Sequence, residues 1–254
     1  MIVLKSREEL RLMREAGRIT ARVLQAIREA AAPGVTTAEL DFLAEQILKK
    51  HDAEPVFKGY TFDNGAPPFP GTITACVNEE LVHGIPGARR LEEGDLLSVD
   101  CGSLYKGYIG DAAISMGIGR TSSEVDRLLE VTNRALEIGI EHSVAGNRIG
   151  DISAAIQNYV EDKGYNVVRG YGGHGVGRTM HEDPHVPNYG RPNRGPRLRS
   201  GMTYAIEPMV LQGKKDVITL PDQWTVVAKD GKLTAHCEHT VAVTDNGAEI
   251  LTLL

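Results

Sequence analysis

Apolar residues recur at helical spacing through Leu10, Met13, Ile19, Val23 and Ile27, which predicts a helix with one buried face. Ser6 and Glu9 stand ahead of the run with the spacing of a capping box, so the helix opens there, and Pro33-Gly34 ends it. Thr36 and Glu39 repeat the capping pattern before a second helix carrying Leu40, Leu43 and Ile47. The same order of events returns later. Thr121 and Glu124 precede a helix with Leu128, Leu129, Val131 and Leu136; Val144-Ala145-Gly146 breaks it; Ile152, Ile156, Tyr159 and Val160 mark a fourth. Each helix pair is followed by β-rich sequence. Gly94-Asp95-Leu96-Leu97-Ser98-Val99-Asp100 in the first stretch resembles Gly201-Met202-Thr203-Tyr204-Ala205-Ile206-Glu207 in the second, at nearly the offset that separates the helix caps. Capping boxes recur by chance, but the strand match makes chance the poorer account. The pattern predicts an internal duplication, roughly 1–115 and 116–254, in which two α+β halves form one domain over residues 1–254.

Composition narrows the class. A chain of 254 residues with 41% hydrophobic content can bury a sizeable core. A net charge of −6 argues against general nucleic-acid binding and against attachment to anionic membranes by charge, although Arg191, Arg194, Arg197 and Arg199 form a local basic cluster. Cys76, Cys101 and Cys237 are odd in number and widely spaced, which fits a reducing compartment better than a disulfide framework. The opening residues are rich in Lys, Arg and Glu, unlike a secretory signal, and no apolar run approaches a membrane span. A soluble cytoplasmic protein without a membrane partner is expected.

The chemical signal is acidic. Asp100, Asp111, Glu207 and Glu238 each sit in sequence that reads as β-strand, where Asp and Glu are depleted. A carboxylate buried in such a setting costs several kcal/mol unless it is paired, protonated or bound to metal. Any one of them could face solvent at a strand end. Two from each proposed half point instead to a shared divalent cation. His174, set in Gly172-Gly173-His174-Gly175-Val176-Gly177, is a candidate nitrogen ligand, because the glycines let backbone and ligand approach closely. His181-Glu182-Asp183-Pro184-His185 matches H-E-x-x-H literally, but that zinc motif needs both histidines on one helical face. Pro184 and Pro187 disfavour the helix.

These residues carry a family resemblance. Asn78-Glu79-Glu80-Leu81-Val82-His83-Gly84-Ile85-Pro86, the Asp100/Asp111 pair, Gly173-His174-Gly175-Val176-Gly177, Met180-His181-Glu182-Asp183-Pro184, Ile206-Glu207-Pro208-Met209 and Glu238-His239-Thr240 together resemble the type I methionine aminopeptidases over nearly the whole chain. The resemblance implies the α+β pita-bread (creatinase/aminopeptidase) fold, with two pseudo-symmetric halves, antiparallel sheets and the metals between them. It implies two divalent metal ions held by Asp100, Asp111, His174, Glu207 and Glu238, with Asp111 and Glu238 bridging. It also implies that Glu207 takes a proton, that His83 and His181 contact the substrate, and that the N-terminal methionine is removed from nascent polypeptides whose second residue is small. A hydroxide shared by two cations would be the nucleophile. Cobalt, manganese, iron, zinc and nickel all suit such a donor set. A monomer that meets nascent chains in transient contact with the ribosome is the expected setting.

Type II relatives carry a long insertion between the second histidine and the next glutamate; here the interval from His181 to Glu207 is short. The sizeable N-terminal domain that usually precedes the ligands in prolidase-like relatives is not expected here, nor are the zinc-binding or ribosome-docking extensions of some others. The methionine pocket is expected among Phe57, Tyr60, Phe69, Met180 and Trp224, with Phe57 and Met180 departing from the usual residues. The loop over 61–68 is longer than usual, which either reshapes the pocket rim or is a tolerated surface insertion. His236 replaces a common glutamine; it reads as an ordinary hydrogen-bonded histidine, with a place beside the ligands as the alternative. Cys101 and Cys237 should point into the core by strand alternation. A non-catalytic protein that kept the fold would be expected to lose ligands, and an iron oxygenase using His174 and His181 would leave three carboxylates idle.

Overall fold

The computed structural model describes residues 1–61 and 65–254; part of the long loop, Phe62 to Asn64, lies outside the described residues. The helices are α1 (Arg7–Ala30), α2 (Thr37–Lys50), α3 (Ser123–Glu141) and α4 (Ile149–Asp162). The strands of the first part are β1 (Glu54–Pro55), β2 (Ile73–Val77), β3 (Glu80–Val82), β4 (Leu96–Tyr105) and β5 (Tyr108–Gly117). Those of the second are β6 (Asn166–Val167), β7 (Gly172–Gly175), β8 (Glu182–Pro187), β9 (Thr203–Ile206), β10 (Met209–Leu211), β11 (Val217–Thr219), β12 (Val226–Ala228), β13 (Thr234–His236), β14 (Glu238–Thr244) and β15 (Gly247–Ile250).

Ser6 and Thr36 cap α1 and α2 as capping boxes, each closed by the glutamate three residues on. For α3 the cap is Ser122, one residue later than the sequence pattern suggests. The Ser122 hydroxyl accepts from Val125 N–H, while the Thr121 hydroxyl turns to the Asp126 carboxylate.

One nine-stranded sheet runs through the molecule in the order β1-β4-β5-β14-β9-β7-β8, with β2 also on β4 and β15 also on β14. Its pairings are antiparallel. Strands β13-β10-β6 and β11-β12-β3 form two smaller sheets. The helices cover one face of the large sheet. Ile19, Val23, Leu40 and Leu48 pack on Ile73, Leu97, Val99 and Cys101. Leu128, Val131, Ile152 and Ile156 pack on Tyr204, Ile206, Cys237, Val241 and Val243. Alternation then turns Asp100 and Glu238 toward the opposite face. Cys101 and Cys237 lie in these cores, on the helix side. No helix among the described residues is long and apolar enough to cross a membrane.

The seat of α1 on the sheet needs backbone contact. A Cβ on Gly110 would lie 2.4 Å from Gly17 N, and one on Gly17 would lie 2.1 Å from Leu251 O. Around this contact the Thr20 hydroxyl donates to Gly110 O at 2.9 Å and the Ser103 hydroxyl to Ala16 O at 2.8 Å. Gly110 immediately precedes Asp111, so the contact also fixes that acid. Gly110→Ala should lower stability by about 1–3 kcal/mol through overpacking, read as a drop in the urea midpoint. An unchanged midpoint would show that helix and strand do not touch here.

Candidate metal centre

Sheet register gathers the acids. Asp100 on β4 pairs with Ala113 on β5, and Ala113 pairs with Glu238 on β14. Residues in one cross-strand row share a face, so Asp100 and Glu238 flank the small Ala113 side chain. Asp111, two residues before Ala113, projects from the same face. Glu207 follows β9 directly and is not within a strand as the sequence suggested; Pro208 separates it from β10. Asn188 Nδ2 donates to Glu207 O at 2.9 Å and holds the turn. The β5–β14 pairing is short, and Thr240 extends it: its hydroxyl donates to Asp111 O at 2.7 Å and accepts from Asp111 N at 3.2 Å.

His174 completes the group from β7. Its Nε2 lies 3.6 Å from Asp111 Oδ2 and 3.7 Å from Glu207 Oε1. Its Nδ1 lies 3.1 Å from Gly175 O, so the tautomer that donates there leaves the Nε2 lone pair facing the acids, as a metal ligand requires. The flanking glycines permit the approach: a Cβ on Gly173 would lie 2.2 Å from Ala205 O, and one on Gly175 2.2 Å from Asp183 O. One ligand atom each from Asp111, His174 and Glu238 lie within 4.8 Å of one another. Asp100 and Glu207 line the same cavity. All five residues named from the sequence therefore come together.

The electrostatics favour a cation. Asp111, Glu207 and Glu238 are buried, and among the described residues no Lys or Arg forms a salt bridge with any of the four acids. Asp111 Oδ1, Asp100 Oδ1 and Glu238 Oε1 are buried without hydrogen-bond partners. Burial, and then the charge of Asp100, pushes the Glu207 carboxyl up to about 8. Burial first and neighbouring acid charges second raise Asp100, Asp111 and Glu238 well above the ordinary range. Burial, followed by the charge of His181, holds His174 down to about 3, in the neutral form a metal needs. Orphaned carboxylate oxygens, crowded acids and a neutral imidazole fit divalent metal.

The cluster is at the base of a cavity of about 310 Å³. Phe57, Tyr60, Phe69, Met180 and Trp224 form its apolar wall, and His83 and His181 also line it. His181 lies at the mouth; its Nδ1 is 2.9 Å from the Tyr60 hydroxyl and its ring 4.2 Å from that of His174. His83, with φ of 60°, follows β3 and lies edge-on to Trp224 and Tyr171. The Trp224 indole N–H donates to Pro67 O at 2.8 Å, so the described end of the long loop braces the wall. Thr74, Tyr171, His185 and Met209 also line the cavity. The sequence placed none of them in a cavity, although His185 stood in the rejected H-E-x-x-H match and Met209 in a family motif; Thr74 was recoverable only through its register opposite Asp100. The H-E-x-x-H match spans the turn before β8 and that strand, so its histidines share no helical face.

A model of metallopeptidase family M24 matches residues 11–245. The chain belongs to that family. As an M24 metallopeptidase it is a hydrolase of peptide bonds that uses divalent metal. It is 54% identical over 254 residues to a methionine aminopeptidase of Clostridium acetobutylicum, covering 100% of this chain and 99% of that one. It is 51% identical over 252 residues to methionine aminopeptidase 1 of Bacillus subtilis, covering 99% of each. The crystal structure of the Thermotoga maritima methionine aminopeptidase superposes with a TM-score of 0.96 at 44% identity, covering 100% of both chains. A Pyrococcus horikoshii prolidase gives 0.77 at 26% identity, covering 99% of this chain and 64% of that one. The architecture is the M24 pita-bread fold.

The Glu207 shift carries a pH dependence. Its folded value of about 8 exceeds the ordinary 4.5, so the ion-free fold retains a proton that the unfolded chain releases. That contribution is full at the acid end of this window and is lost as pH rises through about 8. The ion-free protein should thus lose stability across this window, and divalent metal should flatten the loss. Metal binding near neutral pH should release protons, seen as a calorimetric heat that varies with buffer ionisation enthalpy. A buffer-independent heat would contradict this charge state.

Proposed function

We propose that the protein removes the N-terminal methionine from polypeptides whose second residue is small, using two divalent ions held by Asp100, Asp111, His174, Glu207 and Glu238. The observation that carries this reading is the unpaired acid–imidazole cluster at the base of an apolar-walled cavity. Whole-length similarity to methionine aminopeptidases supports it. Asp111 and Glu238, which lie close to His174, would hold both ions. Bound divalent metal supplies Lewis acidity, which lowers the pKa of water and polarises a carbonyl. Glu207 accepts the proton of the attacking water. His181 and His83 donate hydrogen bonds to the carbonyl oxygen and the peptide; burial, and then the charge of His181, lowers His83 to about 4, so it remains a neutral donor near pH 7. Tyr60 orients His181 through the contact to Nδ1. Tyr60, Phe69 and Trp224 enclose the methionine side chain, and Met180 adds an adaptable thioether wall.

We read the chain as one catalytic domain over residues 1–254, formed by duplication. The continuous sheet with a helix pair behind each half supports this. We further infer a cytoplasmic monomer that meets nascent chains in transient contact with the ribosome; the net charge and the three buried free cysteines suit that compartment.

Metal-loaded protein should release methionine from Met-Ala-Ser and leave Xaa-Pro dipeptides intact, as followed by chromatography of the products. Cleavage confined to the Xaa-Pro bond would replace this reading with a prolidase-like one. Glu207→Gln should lower kcat by about 10²- to 10⁴-fold, the range for loss of a general base. A variant with undiminished kcat would remove Glu207 from proton transfer.

A further inference from the structure

His236 closes β13 two residues before Glu238, and its side chain is only 3% exposed. Its Nε2 is buried and has no hydrogen-bond partner, unlike the ordinary bonded histidine expected from the sequence. It lies 3.6 Å from Glu207 Oε2 and 3.8 Å from Glu238 Oε2, slightly beyond hydrogen-bond length. With the acids ionised, the state a bound cation would favour, both facing atoms are acceptors. The tautomer with hydrogen on Nε2 is therefore favoured, because a lone pair there would face two others. The backbone fixes the ring in this place. The Ser115 hydroxyl donates to His236 O at 2.8 Å and accepts from His236 N at 3.0 Å. Ser98 lies 2.6 Å from that hydroxyl on the other side.

The two glutamates divide their oxygens. Glu207 directs Oε1 toward His174 and Oε2 toward His236. Glu238 directs Oε2 toward His236, while its Oε1 is buried without a partner.

We propose that His236 is a positioning residue whose Nε2–H would be shared by Glu207 and Glu238, holding one oxygen of each and leaving the other oxygen of each free to take a bound ion. The role rests on the metal reading above. A shared donor lets two like-charged groups from different elements stay at a fixed spacing, which neither strand enforces alone. A side-chain amide of similar length could serve equally.

The test uses the full-length chain stripped of metal and titrated with Co(II), with calorimetry giving Kd and stoichiometry and the visible d–d band reporting ligand geometry. His236→Gln keeps a donor and should bind within about threefold of wild type with an unchanged band, whereas His236→Met should bind about 10- to 100-fold more weakly with an altered band. Where His236→Met does not fold, His236→Asn takes its place with the same expected loss, its amide being too short to reach both acids. Equal affinity and an equal band in His236→Met, or in His236→Asn where that stands in, overturn the proposal. So does a loss in His236→Gln as large as that in His236→Met, which would mark the imidazole itself as the requirement. A wild type that binds no Co(II) overturns the metal reading and this inference with it, an outcome distinct from a wild type and donor-less variant that bind alike.

Discussion

Four carboxyl groups line one cavity, and among the described residues no Lys or Arg pairs with them. Their mutual repulsion and desolvation would each cost several kcal/mol in an ionised, metal-free state. The surrounding structure is arranged to hold them against that cost. The Asp100–Ala113–Glu238 row sets their spacing through backbone register, which side-chain repulsion cannot easily alter. Thr240 clamps the backbone of Asp111 and Asn188 that of Glu207. The helix pairs behind the sheet supply the hydrophobic stabilisation that makes this frame rigid.

Much of this was legible in the sequence because misplaced charge is a strong signal. Acids inside apolar strand sequence have few physical explanations, and all four came to one cavity. Helix caps were equally readable, since Ser or Thr followed by Glu is a local code. It failed by one residue at Ser122, where Thr121 and Ser122 competed and the local hydrogen bond to Val125 decided. The rejection of a zinc helix at His181 followed from proline alone, and the strand at that place agrees.

What was not legible is pairing across the chain. Strand register is set by contacts between distant segments, so neither Thr74 opposite Asp100 nor the Thr240 clamp could be read locally. The end of β9 before Glu207 was missed because Glu207-Pro208-Met209-Val210 continues an apolar pattern while the proline breaks the ladder. For His236 the residue type was visible, but the direction of its Nε2 depends on β13 and β14 being separate strands joined at Cys237.

The narrow seam between β5 and β14 also bears on how the enzyme comes into being. Asp100 and Asp111 arrive with the first part of the chain, and His174, Glu207 and Glu238 with the second. In the large sheet the two sets are joined across this seam, a pairing of two residues plus one threonine hydroxyl. A chain still emerging, or a fragment left by damage, lacks part of the constellation. The ligand set is therefore complete only when both parts of the chain are present and paired.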